Sequence, residues 1–360
     1  MRINILVKTY TNYHFMRPLK QLVRANILAM KPCRSMRTEL NGNEPYIWIE
    51  RDENPYNSPY NRYPDASMAM LKAAVARVKN VGVSNIFVAN GRHAVIDALY
   101  RCFCTPSTDN VVSVEPTYYI YNVLAELNGV ENRRVLLDDG FRLSAEHIVE
   151  RCDEHTKIIW ICSPNTPVGN TANPEEVTML LDMFDGIVVI DESYIDFSTQ
   201  PSWRTKLAKY PNLVVVNTMD NSWGCAAISV AMLYASADIV DVLDKATSPF
   251  VINSLSQKVA IDLLRDTFEA EKRVRTIILE RQRMMTAIRD LPICAKVYPS
   301  DTNFLLVEFS DAKTVYRYLL DRGIVVADCS DIPLCANCLR ITIGSKPENN
   351  ELLSALRQYK

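Results

Sequence analysis

Two apolar runs near the middle of the chain each stop in a group of polar residues suited to binding a small molecule. Ile158 to Cys162 ends at Ser163-Pro164-Asn165-Thr166-Pro167-Val168-Gly169-Asn170, and Ile187 to Ile190 ends at Asp191-Glu192-Ser193-Tyr194. A third group, Asn90-Gly91-Arg92-His93-Ala94, follows the apolar run Ile86 to Ala89 and opens a helical pattern through Arg101. A Gly turn at a helix N-terminus can receive an anion, because unpaired N–H groups and the helix dipole point there, and Arg92 and His93 add charge. No further glycines support a phosphate loop, so a plain strand-to-helix turn accounts for the same residues. A fourth group, Arg51 to Pro64, is an extended loop in which prolines bar helix and tyrosines carry both a hydroxyl and a stacking face. Cys335-Ala336-Asn337-Cys338, with Cys329 nearby, has metal-like spacing. A structural zinc site needs four ligands and there is no second such pair, which favours buried thiols.

These residues need elements to hold them. The two central runs are short, β-branched and unalternated, and Pro174 to Phe184 between them has helical spacing, which predicts a βαβ crossover in a parallel sheet. In an open α/β sheet ligands sit beyond the carboxyl ends of the strands, where Asn165, Asp191 and Tyr194 fall. Further strands are expected at Tyr46–Glu50, Val111–Val114, Val135–Leu137, Leu213–Val216 and Ile228–Tyr234, with a helix at Ser67–Lys79. From Ser236 to Arg289 the pattern is almost wholly helical. The last seventy or so residues change character, with short strands at Ala295–Tyr298, Phe304–Glu308, Ile324–Val326 and Leu339–Ile343 and helices at Ala312–Arg322 and Glu348–Gln358. The expected organisation is a peripheral segment (1–45), a large domain (46–260), and an interdomain helix with a small α+β domain (261–360).

Composition sets limits on function. The 360 residues are 48% hydrophobic and 23% charged with a net charge of −2, which argues against a general nucleic-acid binder and against an anionic-membrane binder. No apolar run approaches the roughly 20 residues of a spanning helix, and the first twenty residues lack a compact signal-like core, so the chain reads as cytoplasmic. The ten cysteines are scattered, mostly inside apolar runs, as free thiols are.

The ordered groups Glu53-Asn54-Pro55-Tyr56, Pro116-Thr117-Tyr118, Ser163-Pro164-Asn165 with Gly169-Asn170, Asp191 to Phe197, Asn253 to Gln257 and Leu339 to Gly344 resemble histidinol-phosphate aminotransferase, from about Val23 to Lys360. That resemblance implies an α/β fold of PLP-dependent transferase type I: a mostly parallel central sheet with a smaller α+β C-terminal domain. It also implies a homodimer, a pyridoxal 5'-phosphate (PLP) cofactor, and a place in histidine biosynthesis. Asp191 would pair with the pyridinium nitrogen. Tyr194 and Asn165 would hydrogen-bond the ring oxygen, and Tyr118 would stack on the ring. Tyr56 would reach the cofactor phosphate of the neighbouring subunit and, with Arg340, the substrate, whose carboxylate Arg340 would take in a bidentate fork.

The departures from the family pattern cluster around catalysis and phosphate. After the strand Leu213–Val216 the family carries Ser-Lys, then an aromatic and a Gly, and an Arg eight residues past the lysine. Trp223 and Gly224 fit, but Asp220 stands for the serine, Asn221 for the lysine and Ser229 for the arginine, and no lysine lies between Lys209 and Lys245. That lysine forms the Schiff base and moves the proton, which an amide cannot do. The family's Gly-Ser-Asp-Glu is Gly91-Arg92-His93-Ala94 here, placing Arg92 and His93 beside Asp220 and Ser229 at the phosphate end. Its Pro-Thr-Gly turn is Pro167-Val168-Gly169, and an arginine that helps bind the substrate phosphate is absent from Ala327 to Ser330. Two functions follow from the resemblance. One is a catalytically dead or impaired member kept as a binding or regulatory dimer. The other is a working transaminase that converts L-histidinol phosphate and 2-oxoglutarate to imidazole acetol phosphate and glutamate.

Overall fold

The β-branched runs pair into a seven-stranded sheet in the order β1-β7-β6-β5-β4-β2-β3. The strands are β1 (Ile86–Asn90), β2 (Asn110–Glu115), β3 (Glu131–Leu136), β4 (Thr156–Cys162), β5 (Ile187–Asp191), β6 (Leu213–Thr218) and β7 (Val230–Tyr234). The structure, a computed structural model, describes residues 16–32 and 46–359. The pairs β2–β3, β2–β4, β4–β5 and β5–β6 are parallel, whereas β7 runs antiparallel to both β1 and β6. Residues 219–229 explain the exception: they form a short connection with one 3-10 turn, too short for the helical crossover that a parallel return requires. The sheet is therefore mostly parallel with helices on its faces.

Burial on both faces explains why the central runs show no alternation. In β4, Ile159 and Ile161 join one core while Ile158, Trp160 and Cys162 join the other, and β5 divides its residues in the same way. Helix Pro174–Met183 makes the β4–β5 crossover, with Asn173 as its N-cap and Pro174 in its first turn. Residues 16–32 pack on this body: Leu22, Val23 and Ile27 enter the second core, and Arg17 pairs with Asp185 at 2.9 Å. The rest of the expected peripheral segment lies outside the described residues.

A second sheet of four antiparallel strands has the order β10-β11-β9-β8, with β8 at Cys294–Val297, β9 at Phe304–Phe309, β10 at Ala327–Asp328 and β11 at Cys338–Thr342. Leu305, Val307 and Phe309 of β9 pack into a core shared with helices Phe268–Arg289, Ala312–Leu320 and Lys346–Gln358, while Leu306 on the opposite face reaches the core of the large sheet. Among the described residues no helix is long and apolar enough to cross a membrane. Cys335 and Cys338 are buried free thiols, and no group of three or more His, Cys, Asp or Glu among the described residues is placed to hold a metal ion.

Two expectations are corrected. Tyr46–Glu50 forms no strand: Ile47 and Ile49 are 88% and 89% exposed, and the segment has no ladder partner among the described residues. Ile324–Val326 is not paired either. The Ile324 N–H donates to the Leu319 carbonyl at 2.9 Å, past Gly323 at φ +73°, so Ile324 closes the end of the preceding helix and pairing starts only at Ala327. The stretch Ser236 to Arg289 is almost wholly helical, as expected, in helices Ala237–Ala246, Ser254–Arg265 and Phe268–Arg289, with breaks at Pro249 with the Asn253 cap and at Asp266–Thr267.

The two sheets are joined at the end of the large one that carries the polar groups. Gly169 has φ +99°, and a Cβ there would meet the Ser300 Oγ at 2.8 Å, so only glycine allows the approach. The Asp301 N–H donates to the Gly169 carbonyl at 2.7 Å, and Thr171 Oγ1 donates to the Asp301 carboxylate at 2.5 Å. Arg281, on helix Phe268–Arg289, donates to the Thr302 carbonyl at 2.5 Å and to the Phe197 carbonyl at 3.4 Å, tying both sheets to the long helix.

Just past β5, Glu192 is buried in a polar knot, accepting hydrogen bonds from the Ser202 hydroxyl and, at 2.6 Å, from the Trp203 N–H. Burial raises its pKa from 4.5 to about 7, against the opposing pull of those donors and of Arg204 and Lys79. The folded protein therefore holds a proton that the unfolded chain releases, so this contribution to stability is full at low pH and is lost as pH rises through about 7. Thermal unfolding followed from about pH 5 to about pH 8 should show the parent losing stability on the order of a few kcal/mol across that range. Glu192→Gln should flatten the decline, and an unchanged slope in the variant would contradict this assignment.

Candidate functional site

The site is built around Asp191, the last residue of β5, which is 0% exposed. A carboxylate so placed must be paired or fully hydrogen-bonded, and here it is both. Its Oδ1 accepts from the Ser193 N–H at 3.1 Å and the Ser193 hydroxyl at 2.5 Å. Its Oδ2 accepts from the Tyr121 hydroxyl at 2.8 Å and from the Arg92 guanidinium at 3.2 Å. A carboxylate offers about four acceptor directions, so this one is filled by the chain's own donors.

Arg92 comes from the other side of the sheet's end, in the first turn of helix Gly91–Phe103 behind β1. Its guanidinium lies 3.7 Å from the centre of the Tyr118 ring, and its side chain is 11% exposed. Burial pulls its pKa down, but the Asp191 carboxylate, with lesser help from Tyr118, Tyr194 and Tyr121, more than reverses this and raises it well above the usual arginine value. Gly91 is held at φ +80°, and a Cβ on it would meet the Ser229 hydroxyl at 2.5 Å. The turn thus needs glycine, and Ser229 closes against it.

Tyr118, just after β2, hydrogen-bonds His93 Nε2 at 2.7 Å. Burial raises the Tyr118 phenol pKa, with Arg92 opposing, and burial and Arg92 lower that of His93, with Asp220 opposing. Tyr121 stacks on Trp160 at 4.9 Å, and Tyr100, whose hydroxyl donates to the Tyr121 carbonyl at 2.8 Å, packs tilted against Trp160 at 5.5 Å. Asn165 uses its amide on the end of β2: it donates to the Pro116 carbonyl at 2.9 Å and accepts from the Thr117 hydroxyl at 2.8 Å. Tyr194 packs edge-on against Phe304 at 5.4 Å, and burial raises its pKa while Arg92 and Arg340 oppose. Arg340 reaches in from β11, donating to the Thr166 hydroxyl at 2.9 Å with its guanidinium 5.4 Å from the Phe304 ring centre.

After β6, Asn221 donates its amide N–H to the Ser193 carbonyl at 3.1 Å, which links it through Ser193 to Asp191. Asp220 has a buried Oδ1 with no hydrogen-bond partner among the described residues, and burial raises its pKa against Thr218, Arg92 and His93. Arg92, His93, Tyr118, Asn165, Asp191, Tyr194, Asp220, Asn221, Ser229 and Arg340 thus gather at one end of the sheet. Tyr56 does not join them within this chain: it is 78% exposed, and no hydrogen bond or ring contact among the described residues links it to the cluster. Sequence reasoning missed Tyr121, Ser193 as a double donor, and Thr166. Tyr121 was legible in principle, since it falls three residues after Tyr118 where the helix begins and so can share its face.

The side chains as arranged do not fit a pyridine ring between Tyr118 and Asp191. Both Asp191 oxygens are already engaged and the face of Tyr118 carries a guanidinium. At the positions where the family resemblance puts a phosphate-binding serine and arginine, Asp220 brings a carboxylate with one unpartnered buried oxygen and Ser229 brings no charge.

The family described as aminotransferase class I and II matches residues 45–356. The histidinol-phosphate aminotransferase of Bacteroides thetaiotaomicron is 44% identical over 345 residues, covering 96% of this chain and 100% of that protein. That of Parabacteroides distasonis is also 44% identical over 345 residues with the same coverage. Among solved structures, the histidinol-phosphate aminotransferase of Clostridium acetobutylicum superposes with a TM-score of 0.76 at 22% identity, over 83% of this chain and 90% of that one. The enzyme of Sinorhizobium meliloti, solved in complex with pyridoxal-5'-phosphate, gives 0.75 at 22% identity over 82% of each chain. With the type I fold, the family match and this identity over nearly its whole length, the chain belongs to the PLP-dependent class I and II aminotransferases, in the histidinol-phosphate aminotransferase family.

Proposed function

We propose that this protein is a histidinol-phosphate aminotransferase homologue that no longer transaminates and persists as a dimeric binding or regulatory protein. The observation that carries the reading is Asn221. At the position where the resemblance calls for a lysine, an amide donates to the Ser193 carbonyl and offers no nucleophile and no base. Lysines in the neighbouring elements are committed elsewhere, Lys72 to Asp244 at 2.8 Å and Lys79 to Asp196 at 3.3 Å. A second reading, an active histidinol-phosphate transaminase, is favoured by the 44% identity to relatives of that name and by the presence of Asp191, Tyr194, Asn165 and Arg340.

The two readings separate on the purified protein. Incubation with pyridoxal phosphate followed by dialysis should leave no hydroxylamine-sensitive absorbance at the visible edge, and histidinol phosphate with 2-oxoglutarate should give no glutamate. Retained cofactor and turnover would establish the second reading.

Restoring the lysine alone should not restore activity. Hydrogen bonds from a serine and an arginine to a phosphate are charge-assisted and worth roughly 1.5 to 3 kcal/mol each; Ser229 lacks the arginine's charge, and Asp220 puts a like charge where the serine would donate. Asn221→Lys by itself should therefore bind cofactor weakly, and the triple variant with Asp220→Ser and Ser229→Arg should bind it better by orders of magnitude. Tight binding and turnover by the single variant would show that Arg92 and His93 serve the phosphate.

The dimer is expected to survive the loss of catalysis. The loop bearing Tyr56 is held by its own contacts: Glu53 accepts from Arg62 and from the Tyr63 N–H at 2.7 Å each, and Tyr63 stacks on Phe250 at 5.0 Å. It leaves Ile47, Ile49, Tyr56 and Tyr60 exposed, an apolar set suited to a permanent interface. Light scattering at micromolar protein should give twice the chain mass without added cofactor, and a monomer would reject the interface.

A further inference from the structure

The disagreement between Asp191's surroundings and a bound ring has a structural cause in this chain, and we propose that Arg92 is a built-in occupant of the ring slot, a planar cation supplied in cis that replaces the cofactor. The inference goes beyond the loss of the lysine, because it rests on Arg92, Tyr118 and Asp191 and would hold whatever stood at position 221.

Three observations converge on it. A guanidinium is flat and cationic, and this one lies over the Tyr118 ring, 3.7 Å from its centre, while one of its N–H groups donates to Asp191 at 3.2 Å. Stacking on an aromatic face with an edge donor aimed at a carboxylate is the pair of contacts that a protonated aromatic ring would make there. The second observation is local: the helix start is a poor place for an arginine. Its dipole disfavours a cation, helix Gly91–Phe103 has no acidic residue in its first turn, and no side chain caps it. A residue that breaks the local rule while completing a buried pair is placed for that pair. The third is the satisfaction of the platform beneath. With Arg92 in place the four acceptor directions of Asp191 are filled, and Tyr121, itself stacked on Trp160, is fixed by the same carboxylate. Without Arg92 a carboxylate with 0% exposure would lose its only cationic partner among the described residues.

The test is a double-mutant cycle on the full chain, read by thermal unfolding. Arg92→Met should lower Tm by leaving Asp191 charged and unpaired, Asp191→Asn should lower it by stranding the guanidinium, and the double variant should recover much of the loss. Additive losses, or a parent-like Arg92→Met, would overturn the proposal. If Arg92→Met is too unstable to isolate, the double variant decides alone, its folding supporting the pair and its failure rejecting it. A second readout asks whether the slot takes a planar cation: millimolar methylguanidinium should raise the Tm of Arg92→Ala above that in sodium chloride of equal ionic strength, and should leave the parent unmoved. Equal responses of parent and variant would reject the slot. Neither readout involves turnover, so the cycle could fail with the parent still inactive, which would reject this pair and leave the proposed loss of catalysis standing; a parent that retains pyridoxal phosphate and turns over would overturn both, because the ring would then hold the slot.

Discussion

A carboxylate buried to 0% exposure at the end of a central strand is costly unless every lone pair is met and a cation stands close, and much of this site can be understood as the solution to that problem at Asp191. In a cofactor-bound aminotransferase the cation is the pyridinium. Here Arg92 supplies it, Tyr121 and Ser193 supply the remaining donors, and Tyr118 supplies the face on which the guanidinium rests. The pair is set by elements far apart in sequence, β5 and the helix after β1, so it also fixes one side of the sheet's end to the other.

The consequences spread outward from that pair. Tyr121 cannot turn without abandoning Asp191, and its ring is stacked on Trp160, which is 0% exposed and also packs against Tyr100. Asn221 leans on the carbonyl of the residue that holds Asp191 from the other side. Arg92, Tyr121, Ser193 and Asn221 form one connected network around Asp191, and a network in which each member is met favours a single arrangement over several. Asp220 stands outside it: its buried Oδ1 lacks a partner among the described residues, at a position where the family resemblance implies a phosphate contact. The change of charge there and the cation at the ring position act in the same direction, against a phosphorylated pyridine.

The central sheet was legible because buried parallel strands are short β-branched runs that stop at polar residues, and β4, β5 and β6 obeyed that rule to within two residues. Tyr46–Glu50 has the composition of a strand but no described neighbour with which to pair, and pairing is a property of the fold and not of the segment. Ile324–Val326 starts too close to the helix before it to pair, since the C-terminal closure through Gly323 takes the Ile324 N–H. In the site, the residue types that could touch a cofactor were visible, because Asp191, Tyr118 and Asn165 sit at strand ends. What could not be read was where Arg92 points. A helix-start arginine faces solvent as readily as a pocket until the distance between β1 and β5 is known, and the spatial order of the strands supplies it.

That order also explains how the site can stay assembled without a cofactor to bridge its parts. Arg340 crosses from β11 to the Thr166 hydroxyl, Asp301 bonds the Gly169 carbonyl and Thr171, and Phe304 of β9 meets the Tyr194 ring. The second sheet is therefore seated on the loop after β4 by contacts that do not pass through the ring slot. Arg92 closes the slot from the opposite side, drawing the start of its helix onto β5. A chain that relied on a bound ring to hold these two sides together would have to leave Asp191 unpaired whenever the ring departed, whereas a cation carried by the chain itself keeps the buried charge paired throughout. The side chain that obstructs the cofactor is on this account the one that allows the fold to dispense with it.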